Sequence, residues 1–399
     1  MEHRTARKMR TITAVIGFAA VASVEGHSAA TFPPPRNAID SDEMPWGGAV
    51  PADIPFEPWC PFPSESAASS DPGRNVSGAN GQACFWFSNG CTTGCSACDG
   101  STRGPIPVFH EVDGKILPVK NATDSGTGKA VAKLPACSLV QSKNATVCDP
   151  AQRTVNTEAE CGGDDDFYFY SPWRAPGSAP VIDACGTAGG RVPGQGPGGY
   201  GAEFVNTTHA QLGDLGSELP HMPSGVTWRA GSSVDVAWTL QANHGGGYGW
   251  RLCSLEDKLE EACFQKTPLD FVSAKTTFRW GGAGGKQTQF ENVIVQGDQT
   301  TPAGSQWKKN PVPRAWQDAD GQWDAKSNQL QTGVGFAPLC DNEPPFVCTG
   351  MWGPYNLEII DEVVIPAGLA PGRYVLGFRQ DCEESSQIWS SCSDVTVVA

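Results

Sequence analysis

Histidine, a common metal ligand and general base, is rare in this sequence. Five of the six His residues follow residue 26, at positions 27, 110, 209, 221 and 244. The chain contains neither the G-x-S-x-G motif of serine hydrolases nor the H-E-x-x-H motif of zinc proteases. Acidic residues are densest at 164–166, but a glycosidase needs two carboxyl groups at a fixed separation, which one sequence does not define.

His27 has a special position because the first 26 residues are typical of a secretory signal peptide. A basic start precedes the uncharged apolar segment Thr11–Val24, and small residues stand at Val24 and Gly26. These features predict cleavage between Gly26 and His27, with secretion of the remaining chain. An uncleaved anchor, or a cleavage site a few residues away, is the alternative.

An N-terminal His provides two metal-binding nitrogens, its free α-amine and its ring Nδ1. The pKa of an α-amine is about 8, so the neutral ligand form is accessible at mild pH. A ring nitrogen from a second His completes a set of three nitrogens, the histidine brace. Nitrogen ligands in a tetragonal arrangement favour Cu(II) and leave positions open for an oxygen species.

Residues 27–40 (HSAATFPPPRNAID) resemble the start of copper-dependent lytic polysaccharide monooxygenases of the chitin-binding type-4 group. Those chains begin with H-G, followed by a Pro-rich segment and R-N. Here Pro33–Pro35, Arg36 and Asn37 match, whereas Ser28 replaces the usual Gly.

Further matches extend this resemblance over nearly all of the chain after residue 26. Residues 227–253 (TWRAGSSVDVAWTLQANHGGGYGWRLC) are similar to the strand pair that carries the second copper ligand in that family. Residues 372–397 (GRYVLGFRQDCEESSQIWSSCSDVTV) are similar to its closing strands. Shorter similarities occur at 173–186 and 263–271.

The resemblance implies a role for four residues. His27 and His244 would bind one copper ion. Trp389 falls at the axial position, which is usually Tyr or Phe, and would act as an apolar shield because an indole has no oxygen. Gln387 would form a hydrogen bond to the bound oxygen species. The alternative for Trp389 is a core position beside Cys392.

The implied activity is oxidative cleavage of a β-linked polysaccharide of the chitin or cellulose class, at C1 or C4 of the glycosidic link. It requires an external electron donor and O2 or H2O2. Trp46, Tyr248 and Trp250 are candidates for stacking on sugar rings, although burial is the stronger expectation for Trp46 and Trp250. Two alternatives remain, a secreted carbohydrate- or copper-binding protein without turnover and a disulfide-rich matrix protein without metal.

The elements that must position these residues are predicted to be strands. Apolar and polar residues alternate over 225–240 around a turn at 230–232, and further strands are indicated at 248–253, 292–295, 357–366, 372–378 and 392–398. Residues 254–262 read as a short helix capped by Ser254. We expect an immunoglobulin- or fibronectin-like antiparallel β-sandwich with long disulfide-stapled loops, as a single domain over 27–399 after the signal peptide at 1–26.

Composition agrees with an extracellular protein. The net charge of −15 offers no basic face to nucleic acid, and no apolar run after the N-terminus is long enough to span a membrane. The 15 Cys allow at most seven disulfides, and for Cys95 and Cys98 a disulfide is favoured over zinc after a signal peptide. Sequons at Asn75, Asn121, Asn144 and Asn206 fit a glycosylated surface. We expect a monomer.

Overall fold

The computed structural model describes the parts of the chain that form its β-sheets and the loops against them. These parts are residues 27–41, 82–89, 109–112, 115–118, 172–190, 204, 206–242, 245–280, 286–298, 300–311, 316–317, 323–324, 357–382 and 387–399. No helix among them is long and apolar enough to cross a membrane.

Almost all regular structure in these segments is β-strand. The strands are β1 (His27–Phe32), β2 (Trp86–Asn89), β3 (Phe109–Val112), β4 (Lys115–Pro118), β5 (Thr187–Ala188), β6 (Pro223–Arg229), β7 (Ser233–Ala242), β8 (Gly247–Ser254), β9 (Lys275–Trp280), β10 (Lys286–Glu291), β11 (Ile294–Val295), β12 (Trp307–Lys309), β13 (Trp316–Gln317), β14 (Trp323–Asp324), β15 (Leu357–Val364), β16 (Gly372–Asp381) and β17 (Gln387–Val398). One short α-helix, α1, covers Glu261–Phe264, and 3-10 turns occur at Arg36–Ala38, Ala83–Phe85, Pro172–Arg174 and Gly216–Glu218.

Two large sheets form a sandwich. One has five strands in the order β1-β7-β15-β9-β10, and the other follows the path β11-β12-β8-β16-β17-β2-β5, with β6 beside β17. The ladders are antiparallel except that of β6 with β17, which is parallel. β3 pairs with β4, and β13 with β14, in separate two-stranded sheets. The predicted all-β sandwich is confirmed.

The core between the sheets is built from alternate residues of their central strands. Trp238 of β7 contacts Tyr248 of β8 and Phe378 of β16, with ring centroids 4.6 and 5.3 Å apart. Trp250 packs on Phe378 at 5.1 Å. Because strand side chains alternate between faces, the even-numbered residues of β8 and β16 point inward. The odd-numbered Val395 and Val397 of β17 join the same core.

The strand prediction over 225–240 is confirmed in position, but its two strands do not pair with each other. β6 lies beside β17 and β7 lies between β1 and β15, so the turn at 230–232 carries the chain from one sheet to the other. Alternation of side chains identifies a strand but not its partner. The helix predicted from Ser254 begins later, at Glu261, because the Ser254 hydroxyl accepts a bond from the Glu256 amide within a local turn.

The outer face of the eight-stranded sheet is also covered. Disulfides Cys185–Cys392 and Cys253–Cys263 hold a loop and α1 against it. Beside them, Arg379 is fully buried, with its Nε 2.7 Å from Asp381 and its Nη1 2.9 Å from Glu261. Arg251 forms a further ion pair with Glu261. Residues of β8 and β16 that point away from the core, such as Arg251 and Arg379, are therefore also buried.

Candidate metal centre

His27 lies at the beginning of β1, on the edge of the five-stranded sheet. Its backbone is registered with Ala242 at the end of β7, and residues opposite each other in an antiparallel ladder have Cα atoms about 4.5–5.5 Å apart. The ladder shifts by one residue between His27 and Ser28, which leaves Gln241 as an extra residue. Such bulges change the direction of a side chain and occur often beside functional sites.

β1 also runs alongside β17 of the other sheet. The Ala30 amide donates to Ser391 Oγ at 2.8 Å, and Ser393 Oγ donates to the Pro33 carbonyl at 2.7 Å. The two segments therefore run in the same direction. Since Ala30 lies beside Ser391, the residues that precede Ala30 in β1 lie beside those that precede Ser391 in β17. The start of β1 is therefore near the part of β17 that contains Trp389.

Arg36 and Asn37, the R-N pair that supports the family resemblance, fix this arrangement. Arg36 forms a buried ion pair with Asp394 of β17. Asn37 accepts a bond from the Cys392 amide and donates to the Cys185 carbonyl, both at 2.8 Å, and so contacts both halves of the Cys185–Cys392 disulfide. Their role in this structure is to lock the chain that follows β1 onto β17.

Trp389 and Gln387 lie at the beginning of β17 with their side chains on its inner face. Both are buried, with 1% and 3% of their surface exposed. The Trp389 ring packs against Phe87 of β2 with centroids 4.4 Å apart, in a cluster that includes Cys382. These contacts put Trp389 in a packed aromatic environment, and its predicted role toward a metal stays a prediction.

The chain on either side of His244 reaches the same end of the sandwich. Ala242 is opposite His27, and the Gly245 carbonyl accepts bonds from Gln380 Nε2 at 3.2 Å and Asn310 Nδ2 at 3.3 Å. Gln380 is itself registered with Trp389. The sequence analysis did not predict these two bonds, because a neutral side-chain amide carries no sequence signal of the acceptor it will contact.

The predicted ligand set is only partly within the described structure. The backbone of His27 is described, whereas its side chain and His244 are not. Among the side chains that are described, no group of three or more His, Cys, Asp or Glu residues forms a metal site. An amine and two imidazoles are a nitrogen set that fits copper, and the register of His27 with Ala242 is compatible with a metal between these two segments.

Two of the remaining histidines, His209 and His221, lie in described loops. His221 Nε2 is 3.7 Å from Asp394 Oδ1. The backbone amide of His209 donates a hydrogen bond to the Thr207 hydroxyl at 3.1 Å. His110 lies on β3. Neither loop position belongs to the part of the sandwich that holds His27 and Trp389.

The structure corrects one candidate for sugar stacking. Tyr248 is fully buried in the core, where its hydroxyl donates to Asp361 at 2.7 Å. Burial, together with the Asp361 carboxylate, raises the pKa of Tyr248 well above its ordinary value. Trp250 is buried as expected.

Several other predicted features lie outside the described residues. They are the signal peptide at 1–26, Trp46, the acidic cluster at 164–166, Cys95, Cys98 and the sequons at Asn75, Asn121 and Asn144. The fourth sequon residue, Asn206, is exposed.

Comparisons with known proteins give structural neighbours at low similarity, several of which are lytic polysaccharide monooxygenases. No protein-family model matches the chain, and no curated protein matches it. A family AA15 lytic polysaccharide monooxygenase from Thermobia domestica, in the Cu(I) state, aligns at 15% identity over 43% of this chain and 62% of its own, with a TM-score of 0.20. A family AA10 lytic polysaccharide monooxygenase from Streptomyces lividans aligns at 12% identity over 45% of this chain and 64% of its own, with a TM-score of 0.20.

A chitin-binding domain from Burkholderia pseudomallei aligns at 12% identity over 49% of this chain and 68% of its own, with a TM-score of 0.23. The chain thus spans less than two thirds of both monooxygenases. This fold resemblance is weak and carries no functional argument, so the assignment below depends on the residues of this chain.

Proposed function

We propose that this protein is a secreted copper-dependent enzyme that cleaves a β-linked polysaccharide of the chitin or cellulose class by oxidation. The observation that carries the proposal is the register of His27 with Ala242, two residues before His244. Strand pairing thus brings the predicted N-terminal ligand beside the segment that contains the second one. The family resemblance of both segments supports the same pair.

His27 would bind the ion through its α-amine and ring nitrogen, and His244 through one ring nitrogen. When bound, copper supplies one-electron chemistry with O2 or H2O2 after reduction by an external donor. The protein contributes a fixed backbone at this end of the sandwich, through the Arg36–Asp394 ion pair and the Asn37 bonds. Trp389 and Gln387 would exclude water from the inner side, since both are buried.

The alternative is a copper- or carbohydrate-binding protein of the same fold without turnover. Its support is the packing of Trp389 on Phe87, because a side chain held in a core aromatic cluster has little freedom to shield a metal. Both functions predict copper binding, and only the enzyme predicts oxidised oligosaccharides.

The first test is N-terminal sequencing of the secreted protein together with its copper stoichiometry. We expect His27 as the first residue and one copper ion per chain. His27→Ala and His244→Ala should each abolish tight copper binding, whereas His221→Ala, at the loop position beside Asp394, should leave it unchanged. A protein that keeps Gly26 and still binds copper equally well would contradict the proposed amine ligand.

The second test is incubation with chitin or cellulose, a reductant and H2O2, followed by mass spectrometry of the released sugars. The enzyme should release C1- or C4-oxidised oligosaccharides, and both His variants should release none. Full copper occupancy without oxidised products on either polymer would favour the non-catalytic alternative.

A further inference from the structure

The loop at 206–215 lies along the edge of the eight-stranded sheet. β5 is the last strand on the path of that sheet, and the backbone of Ala188 in β5 bonds to the Asp214 carbonyl and to the Gly213 amide, both at 2.9 Å. The end of the loop is therefore fixed to the sheet. Its first part, 206–212, is a turn that is held by side chains.

Thr207 anchors this turn from the inside. Its hydroxyl donates to Asp40, which is buried, and accepts the Ala210 amide at 3.0 Å. Its backbone amide donates to the Ala210 carbonyl at 2.8 Å. The residues on either side of it, Asn206 and Thr208, are exposed, whereas Thr207 is half-buried. The first and third residues of the sequon Asn206-Thr207-Thr208 thus lie at the surface, and the second holds the loop in place.

The side-chain amide of Asn206 takes part in the turn through its oxygen. Asn206 Oδ1 accepts the backbone amide of Leu212 at 2.7 Å. A backbone N–H needs an acceptor, and Nδ2 has only donors, so this bond defines which end of the Asn206 amide faces the turn. Nδ2 is then on the other side, and it donates to no residue in the described part of the chain.

We propose that Asn206 carries an N-linked glycan on Nδ2 while its Oδ1 keeps the bond to Leu212. The inference rests on the secretion that is part of the proposed function. A sequon supplies the residue types that N-glycosylation needs, and a bulky glycan requires a surface position. At Asn206 the fold uses one atom of the side chain and leaves the other one for modification.

The donor for this reaction is a lipid-pyrophosphate-linked oligosaccharide of the secretory pathway. A bond forms between Asn206 Nδ2 and the anomeric carbon of the first sugar, and the bond from that carbon to the pyrophosphate oxygen breaks. The lipid pyrophosphate leaves with the electron pair, and Nδ2 loses one of its two protons. Oδ1 forms no new covalent bond, so its hydrogen bond to Leu212 is compatible with the product.

The test is glycopeptide mass spectrometry of the full-length chain secreted from eukaryotic cells. Enzymatic release of N-glycans in heavy-oxygen water converts each glycosylated Asn into an Asp that carries the heavy isotope. We expect this label at position 206. Thr208→Ala removes the third residue of the sequon and should abolish the label, whereas Thr208→Ser, which restores a hydroxyl, should keep it.

A second comparison separates the two atoms of the Asn206 amide. Thr208→Ala loses the glycan but keeps the bond from Leu212 to Oδ1, and Asn206→Ala loses both. Because a hydrogen bond contributes little at an exposed position, we expect the thermal midpoint of Asn206→Ala to lie below that of Thr208→Ala by about 1–4 °C.

The results that would overturn the inference are distinct from those that concern copper. An unlabelled Asn206 in a secreted chain that begins at His27 would reject the glycan, and the copper stoichiometry of the same sample would still test the proposed function. Equal thermal midpoints for Thr208→Ala and Asn206→Ala would reject the role of Oδ1. A chain that stays in the cell and keeps Gly26 would reject secretion, and with it both proposals.

Discussion

The two faces of the eight-stranded sheet are both buried, but by different chemistry. The inner face carries aromatic rings, Trp250 and Phe378 among them, and ends in the neutral side chains of Gln380 and Trp389. The outer face carries a buried network of charges around Arg379. Burial opposes ionisation of Glu261, but Arg251 and Arg379 more than offset it and hold the pKa of Glu261 below its ordinary value.

This difference in chemistry decides how a substitution on each face should change the stability of the protein. Charged groups that are buried must be paired, so each one on the outer face depends strongly on its partner. The inner face also holds a buried ion pair, Lys308 with Asp361, beside Tyr248, whereas the side chains of Gln380 and Trp389 carry no titratable group. Variants on the two faces should therefore differ in the size and in the pH dependence of their effects.

The largest effect is expected for Arg379→Met on the outer face. It leaves the buried carboxylates of Asp381 and Glu261 without their shared partner, and breaking a buried ion pair costs about 3–5 kcal/mol. Urea unfolding monitored by tryptophan fluorescence should show this loss in the free energy of unfolding.

Arg373→Met is the control for this variant on the same strand and face. Its Nη2 is 2.9 Å from Glu256, but the two side chains are 56% and 75% exposed. Exposed pairs contribute about 0–1 kcal/mol. Equal losses in the two variants would show that the outer network contributes no more than a surface pair.

The next largest effect is expected for the pH dependence of stability, through Asp183 in the loop that carries Cys185 to the outer face. Asp183 accepts bonds from the Cys185 and Ser217 amides at 2.9 and 3.0 Å. Burial, only partly offset by these bonds and by the Ser217 hydroxyl, raises the pKa of Asp183 to about 6 from 3.8. The folded state therefore binds an extra proton, and this contribution to stability is lost as the pH rises from about 4 to 6.

Asp183→Asn keeps the shape and removes the titration. We expect it to gain stability relative to the wild type between pH 4 and pH 7.5, by at most about 3 kcal/mol at about 1.4 kcal/mol per unit of pKa shift. The measurement is urea unfolding of both proteins at the two pH values. A difference between them that stays constant with pH would contradict the assigned role of Asp183.

The smallest effect is expected for Phe378→Leu on the inner face. Phe378 contacts Trp238, Tyr248 and Trp250, and the smaller side chain should cost about 1–2 kcal/mol in lost packing. The loss in the free energy of unfolding should be the same at pH 4 and pH 7.5, because no titratable group changes. A pH-dependent loss would mean that the two faces are coupled.

The sequence was sufficient to predict an all-β fold, because apolar and polar residues alternate along strands that are buried on one face only. It predicted β7, β8, β15, β16 and β17 close to their positions. It did not predict that β6 and β7 belong to different sheets, since partners depend on contacts between distant segments. The burial of Arg379 and Arg251 was also hidden, because charged residues that alternate with apolar ones read as a solvent-exposed face.

The candidate site was predictable only where it depends on residue type. His27 was singled out by its place after the predicted signal peptide, and the family resemblance added His244, Trp389 and Gln387; these roles stay predictions. The bonds of Gln380 and Asn310 to the Gly245 carbonyl were not predicted, because the acceptor they share is a backbone atom. Every residue has a backbone carbonyl, so residue type does not show which of them will accept a side-chain hydrogen bond.

The contact of β1 with β17 has a consequence for biosynthesis. Ala30 and Ser391 are 361 residues apart in the chain, so a ribosome must add nearly the whole protein before the strand that carries His27 meets its neighbour. Contacts of such long range form late in folding. A nascent or truncated chain would therefore lack β17 beside the start of β1, and binding of the proposed copper ion should follow completion of synthesis.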